Sequence, residues 1–195
     1  MRTAPPDWAD ALLRFFVTPE NFENVSGDLL EEYCDSVLPG SGQRRADRWY
    51  VRQVLGFVWR RTGLWAFLFG GAFVARTALD WLVPPVTFDL RSTVSTALGV
   101  AILLVASART AWRSGSFLTG SIAGLTIAAL GAVVSIGGAA ALLAFRHDPA
   151  TMLAIRQSGG LDEVFLLPLL LMLPGVLVGT VGGMIGAAMK RAVMA

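Results

Sequence analysis

The chain has 195 residues, a formal net charge of +2 and 54% hydrophobic residues, with one cysteine and one histidine. So small a charge argues against nucleic-acid binding. A single cysteine excludes an internal disulfide, and one cysteine with one histidine cannot form a standard zinc site. Residues 1–61 hold nine of the 14 acidic residues, so charge is sparse in the remaining 134. We therefore expect a water-exposed module over residues 1–61 and a membrane region over residues 62–195.

The N-terminal module is predicted to contain about three short helices. Asp7 is placed to cap a helix over residues 8–17, and Thr18 precedes Pro19 as cap and first helical residue of a helix over residues 20–25. A break is expected at residues 26–27. Asp28 and Glu31 then have the spacing of a capping box for a helix over residues 29–37, which residues 39–42 end.

The next helix is predicted to begin near Gln43 and to lead directly into the membrane. One side carries basic residues at three- and four-residue steps: Arg44, Arg45, Arg48 and Arg52. The other side carries Trp49, Tyr50, Val54, Phe57 and Val58. Two compatible arrangements stay open. The helix lies in the lipid headgroup layer, or it packs on the preceding acidic helix as a hairpin, with Glu31, Glu32 and Asp35 facing its arginines.

Four later segments are long and apolar enough to cross a bilayer, which requires about 20 residues. They are residues 64–83, 93–111, 117–145 and 164–189. No secretory signal peptide is apparent, so the first span is expected to serve as an uncleaved anchor. The fold class predicted is all-α: a small cytosolic helical module followed by a four-helix transmembrane bundle.

The placement of basic residues predicts the orientation of the spans. Arginines precede the first span, Arg109 and Arg113 lie between the second and third, and Lys190 and Arg191 follow the fourth. The positive-inside rule then puts both termini in the cytoplasm, in a multi-pass protein of a bacterial inner membrane.

Two patterns within the spans indicate contacts. Arg76 and Asp80 are four residues apart and can pair on one face of the first span, either as a functional pair or as a structural one near the outer interface. Glycines at four-residue steps favour close helix packing, either inside one bundle or between copies of the chain. These are Gly120 and Gly124 in the third span, with Gly175, Gly179 and Gly183 in the fourth. Pro168 and Pro174 are expected to kink the fourth span.

Four stretches of the N-terminal module together resemble a known family. They are LLRFF at 12–16, TPE at 18–20, GDLLEEY at 27–33 and RRADRWYVRQVL at 44–55. This combination is similar to the permease prefix domain, a short helical module that precedes macrolide-exporter-type ABC permeases and also occurs on small bacterial membrane proteins. The resemblance covers about residues 8–60. It implies a connection with ABC-type export or its regulation, while the rest of the chain leaves no room for a permease body.

The sequence offers no catalytic, cofactor-binding or metal-binding constellation, so a noncatalytic protein is expected. The first hypothesis is an accessory or regulatory membrane protein whose prefix module binds an ABC component or regulator. The candidate docking residues are Asp28, Glu31, Glu32, Tyr33, Arg48, Trp49, Tyr50 and Gln53. The same residues would equally serve to hold the helical hairpin together. The alternative is a small transporter or channel that works as a homo-oligomer in the lipid bilayer.

Overall fold

A computed structural model of the chain describes residues 4–85, 87–146 and 148–194, and within these ranges the regular structure is entirely helical. The predicted all-α fold class is confirmed. The chain divides into two compact units, Met1–Arg61 and Thr62–Ala195. His147, the single histidine, lies outside the described residues.

The first unit folds around its own apolar core. Its elements are α1 (Asp7–Phe16), α2 (Pro19–Glu32), a π-helical turn (Tyr33–Val37), α3 (Leu38–Ser41) and the first part of α4 (Gln43–Leu82). Buried side chains from three helices meet in this core: Ala9 and Leu13, Leu29 and Tyr33, Ala46, Tyr50 and Val54. A module of about 60 residues therefore has an apolar core of its own.

Two predictions for the second helix are wrong. No break occurs at residues 26–27, because α2 runs without interruption from Pro19 to Glu32. Asp28 and Glu31 consequently lie inside a helix and form no capping box. The physical reason is tertiary: Phe22, Val25 and Leu29 pack against one core. Their burial outweighs the cost of about 1 kcal/mol that a mid-helix glycine carries.

Some helices of this unit begin or end at residues other than those predicted. Pro6, not Asp7, is the cap of α1, and Asp7 is its first helical residue. Thr18 caps α2 with Pro19 in the first turn, as predicted. Residues 39–41 do not end the helical path. It ends at Gly42, whose φ of +74° is a left-handed conformation that favours glycine.

The second unit is a bundle of long apolar helices. After α4 come α5 (Asp89–Ser114), α6 (Phe117–Phe145), α7 (Pro149–Gln157), α8 (Gly160–Leu170) and α9 (Met172–Met194). Within the described residues, four helical segments have the length and hydropathy to cross a membrane: α4, α5, α6, and α8 together with α9. These segments contain the four predicted spans. The chain is a multi-pass integral membrane protein.

The fourth span is interrupted where its prolines predict a kink. Helical conformation lapses at Leu171 alone, between α8 and α9. Pro168 and Pro174 flank this residue and cannot donate the backbone hydrogen bonds of a regular helix. The hydrogen bonds from Leu171 N to Leu167 O and from Gly175 N to Leu171 O, both 2.9 Å, carry the chain across the interruption.

The connection before the fourth span contains a short helix, α7. Asp148 caps it by accepting hydrogen bonds from Thr151 N at 3.1 Å and from Thr151 Oγ1 at 2.8 Å. These bonds hold the pKa of the Asp148 carboxyl below its usual value. Ile155 is buried in a small cluster with Trp81 and Ala139, so α7 closes this end of the bundle.

Candidate functional site

Four charged side chains form one ion-pair network at the end of the bundle where α4 ends and α5 and α8 begin. Arg76 donates from Nε to Asp80 Oδ2 at 3.3 Å and from Nη2 to Glu163 Oε1 at 3.2 Å. Arg91 donates from Nη1 to Asp80 Oδ1 at 3.2 Å and to the Val83 carbonyl at 2.9 Å. Asp80 thus accepts from two arginines, and Arg76 links two carboxylates.

Three helices bring the network together. Arg76 and Asp80 lie one turn apart near the end of α4, Arg91 lies in the first turn of α5, and Glu163 lies in the first turn of α8. The Asp80 side chain is only 4% exposed and that of Arg76 13%, whereas that of Glu163 is 36% exposed. Buried charges are costly unless they are paired. Pairing with two arginines therefore offsets the cost of burying the Asp80 side chain.

Sequence reasoning placed Arg76 with Asp80 but missed the other two members. It assigned Arg91 and Glu163 to connecting loops because each lies outside the apolar windows. A signal for them was available, since the predicted topology puts the first-to-second and third-to-fourth connections at one end of the bundle. The pair inside the span is near that same end. Charged residues at the nearby ends of the second and fourth spans are therefore candidates for further ion pairs with Arg76 and Asp80.

Two cavities adjoin the network. An inner cavity of about 30 Å³, large enough for a water molecule, is lined by Arg76, Asp80 and Ser135. Ser135 is 5% exposed. An outer vestibule of about 540 Å³ lies beyond it. Arg76 and Glu163 line both cavities, so their ion pair separates the inner cavity from the vestibule.

Gly159 fixes the position of Glu163 at this boundary. Gly159 caps α8 with a φ of +110°, a conformation that side chains rarely adopt. A Cβ atom there would overlap the Glu163 carboxylate. The turn between α7 and α8 therefore requires glycine both for its backbone and for the space that the carboxylate occupies.

Comparison of the chain with protein-family models, curated proteins and solved structures finds no match. Among the described residues, no group of three or more His, Cys, Asp or Glu side chains is placed to hold a metal ion.

The predicted glycine stripes meet each other inside the chain. Gly120 packs against Gly183, and Gly124 packs against Gly175 and Gly179. A Cβ atom on Gly124 would lie 2.6 Å from Gly175 O and 2.7 Å from Gly179 Cα, so only glycine permits this approach of α6 to α9.

A second small-residue face of α9 packs against α5. Gly182 lies against the Leu104 carbonyl and Gly186 against the Ala108 carbonyl. Both glycine faces of α9 are thus occupied by helices of the same chain. An oligomer contact would have to use another surface.

The candidate docking residues of the first unit fall into two groups. Tyr33 and Tyr50 are buried in the core, where their rings meet edge to face with centroids 5.9 Å apart. The Tyr33 hydroxyl donates to Asp47 Oδ1 at 2.7 Å and accepts from Gln43 Nε2 at 2.7 Å. Burial, reinforced by the Asp47 carboxylate, raises the pKa of Tyr33 to about 12. The tyrosines hold the unit together and do not present a surface to a partner.

Most of the remaining candidates are exposed. Trp49 is half-buried against the core. The exposed ones are Asp28, Glu31, Glu32, Arg48 and Gln53. The hairpin ion pairs that the sequence suggested are not formed: among the described residues, no ion pair within 4.0 Å joins Glu31, Glu32 or Asp35 to Arg44, Arg45 or Arg48. These charges are therefore available on the surface.

Proposed function

We propose that the chain is a noncatalytic integral protein of the bacterial inner membrane that serves as an accessory or regulatory component of an ABC-type export system. In this proposal the N-terminal unit binds the partner and the bundle anchors it. The link to export is supported by the resemblance of residues 8–60 to the permease prefix domain.

One observation carries the docking role. The first unit buries both tyrosines in an apolar core, yet it leaves charged residues on α2 and α4 exposed. Asp28, Glu31 and Glu32 are exposed on α2, and Arg48 is exposed on α4, on the side away from the buried Tyr50. Exposed charges that form no ion pair with the described residues favour recognition of a charged partner and rapid association with it.

A cytoplasmic position of both termini is supported by the bundle itself. Lys190 Nζ donates to the Arg113 carbonyl at 3.0 Å, which brings the basic residues after the fourth span beside those between the second and third. Two basic clusters thus share one end of the bundle. The positive-inside rule assigns such an end to the cytoplasm.

The docking role is tested by cross-linking in native membranes followed by affinity purification of the full-length chain. The key variant replaces Glu31 and Glu32 with lysine. The matched control replaces Glu20 and Glu23, two exposed carboxylates on the same helix, with lysine. We expect the key variant to lose an ABC transporter subunit that the wild type and the control both retain.

Helicity and expression level are measured for each variant. Loss of the subunit with unchanged circular dichroism supports docking through α2. Unfolding of the key variant but not of the control would instead mean that Glu31 and Glu32 maintain the hairpin. Recovery of no ABC subunit by any form, the wild type included, contradicts the export link.

A second candidate function, a small transporter or channel, is favoured by the ion-pair network inside the bundle, since charges within membrane segments often mark transport paths. It requires an oligomer formed through surfaces other than the glycine faces. Reconstitution in liposomes tests it. Arg76→Ala should abolish a measured flux without loss of expression, and an inert wild-type protein would count against the idea.

A further inference from the structure

A basic pocket lies between α5 and α9, near the end of α5 that is away from the ion-pair network. Its volume of about 380 Å³ falls within the range of about 300–1,000 Å³ typical of ligand sites. One face of α5 and two residues of α9 line it: Ala108, Arg109, Trp112, Arg113, Gly186 and Met189. The buried Gly186 packs against the Ala108 carbonyl, so the two helices are in direct contact where the pocket forms.

The charges of the bundle are divided between its two ends. All five acidic residues of the range 62–195 lie toward the end that holds the ion-pair network: Asp80, Asp89, Asp148, Asp162 and Glu163. The pocket end carries only basic residues of that range: Arg109, Arg113, Lys190 and Arg191. The acidic residue of α5 is Asp89 in its first turn, about 30 Å along the helix from Arg109. The bundle therefore supplies no acidic side chain to this pocket.

The surroundings of the pocket are amphipathic along the direction of the membrane span. Arg109 and Arg113 lie at the end of the apolar part of α5, where the hydrocarbon of a bilayer gives way to the headgroups. Trp112, half-buried beside them, is of a residue type enriched at membrane interfaces. Val105 on α5 and Ile185 on α9 are exposed and lie about one turn further into the span. A ligand with an anionic group and a long apolar chain would match both parts.

We propose that this pocket binds the headgroup of an anionic phospholipid, a role separate from docking by the N-terminal unit. The phosphate oxygens accept charge-assisted hydrogen bonds from the guanidinium groups of Arg109 and Arg113. Lys190 adds a positive charge at the rim, because its Nζ donates to the Arg113 carbonyl at 3.0 Å and so stays at the end of α5. An acyl chain lies along Val105 and Ile185. Basic pockets between membrane helices are suited to anionic headgroups for these reasons.

Binding is tested by native mass spectrometry of the full-length chain in detergent, titrated with two lipids that share the same acyl chains. Phosphatidylglycerol is anionic, and phosphatidylcholine has no net charge. We expect phosphatidylglycerol to bind about tenfold more tightly or better, because charged hydrogen bonds are gained. Replacing Arg109 and Arg113 together with glutamine should remove this preference. Arg109→Gln alone should weaken phosphatidylglycerol binding by about threefold or more, and it provides the test if the double variant fails to fold.

The matched control replaces Arg146 and Arg156, two exposed arginines outside the pocket lining, with glutamine. It removes the same charge and should keep the preference for phosphatidylglycerol. Melting curves confirm that each variant is folded. Equal binding of the two lipids by the wild type overturns the inference, as does a preference that survives in the double variant or an equal loss in the control. Displacement of phosphatidylglycerol by an equal concentration of glycerol phosphate would mean that the pocket takes a free phosphate and would overturn a lipid as its occupant.

Discussion

Replacing Gly124 with alanine should separate α6 from α9. The new Cβ atom would lie 2.6 Å from a carbonyl oxygen and 2.7 Å from a Cα atom of α9. Both are backbone atoms, so no side chain can turn away to make room. Ordinary van der Waals contact for a Cβ begins at about 3.4 Å, so the helices must move apart by roughly 0.7 Å along this face.

The size of the effect follows from a matched variant on the same helix. Gly137 is exposed on α6, and a Cβ atom added there meets nothing within 4 Å. Gly→Ala raises helix propensity by about 1 kcal/mol at either position, so that gain cancels in the comparison. What remains is overpacking, which costs about 1–3 kcal/mol. For a chain of this size, that corresponds to a melting temperature lower by about 2–12 °C in Gly124→Ala than in Gly137→Ala.

The assay is thermal unfolding of both purified variants in one detergent, followed by circular dichroism at 222 nm. Each is compared with the wild-type chain. Equal melting temperatures for the two alanine variants would refute close packing of α6 on α9 through Gly124. A lower melting temperature for Gly137→Ala would refute the steric argument altogether, because that position has free space around it.

Three further predictions concern single side chains. Asp80→Asn should lower the free energy of unfolding by about 3 kcal/mol, because two arginines lose a buried carboxylate. Chemical unfolding measures this loss. An equal loss in the exposed control variant Asp162→Asn would contradict the role of burial. The phenolate absorbance of Tyr33 at 295 nm should appear near pH 12 rather than 10. Because the folded pKa exceeds the unfolded value, the stability that buried neutral Tyr33 contributes is complete below pH 10 and is lost between pH 10 and 12. An alkaline titration in which Tyr33→Phe leaves that step unchanged would contradict this assignment. Asp148→Ala should speed amide hydrogen exchange at Thr151 and leave exchange in α5 unchanged, since only the cap of α7 is lost. Unchanged exchange in α7 would show that the cap does not stabilise this helix.

The long apolar segments were predictable because membrane insertion depends on local composition. About 20 apolar residues in succession identify a span whatever the span packs against. The i,i+4 spacing of Arg76 and Asp80 was equally local, since one turn of helix sets it.

Other features of the first unit depended on distant parts of the chain. Ser26 and Gly27 suggested a break, yet the core formed with α1 and α4 keeps α2 continuous. Tyr33 and Tyr50 were candidates for docking a partner and equally for holding the helical hairpin together. Burial against each other became evident only once the helices were packed.

The sequence alone therefore determined which four segments are apolar and long enough to span a membrane, and it predicts a water-exposed module over residues 1–61. Hydropathy summed over a window decides that question without reference to any neighbour. Only the tertiary structure decided which residues become partners. Arg76 meets Glu163 across 87 positions of sequence, and Gly124 meets Gly179, because helix packing sets these distances and sequence spacing does not.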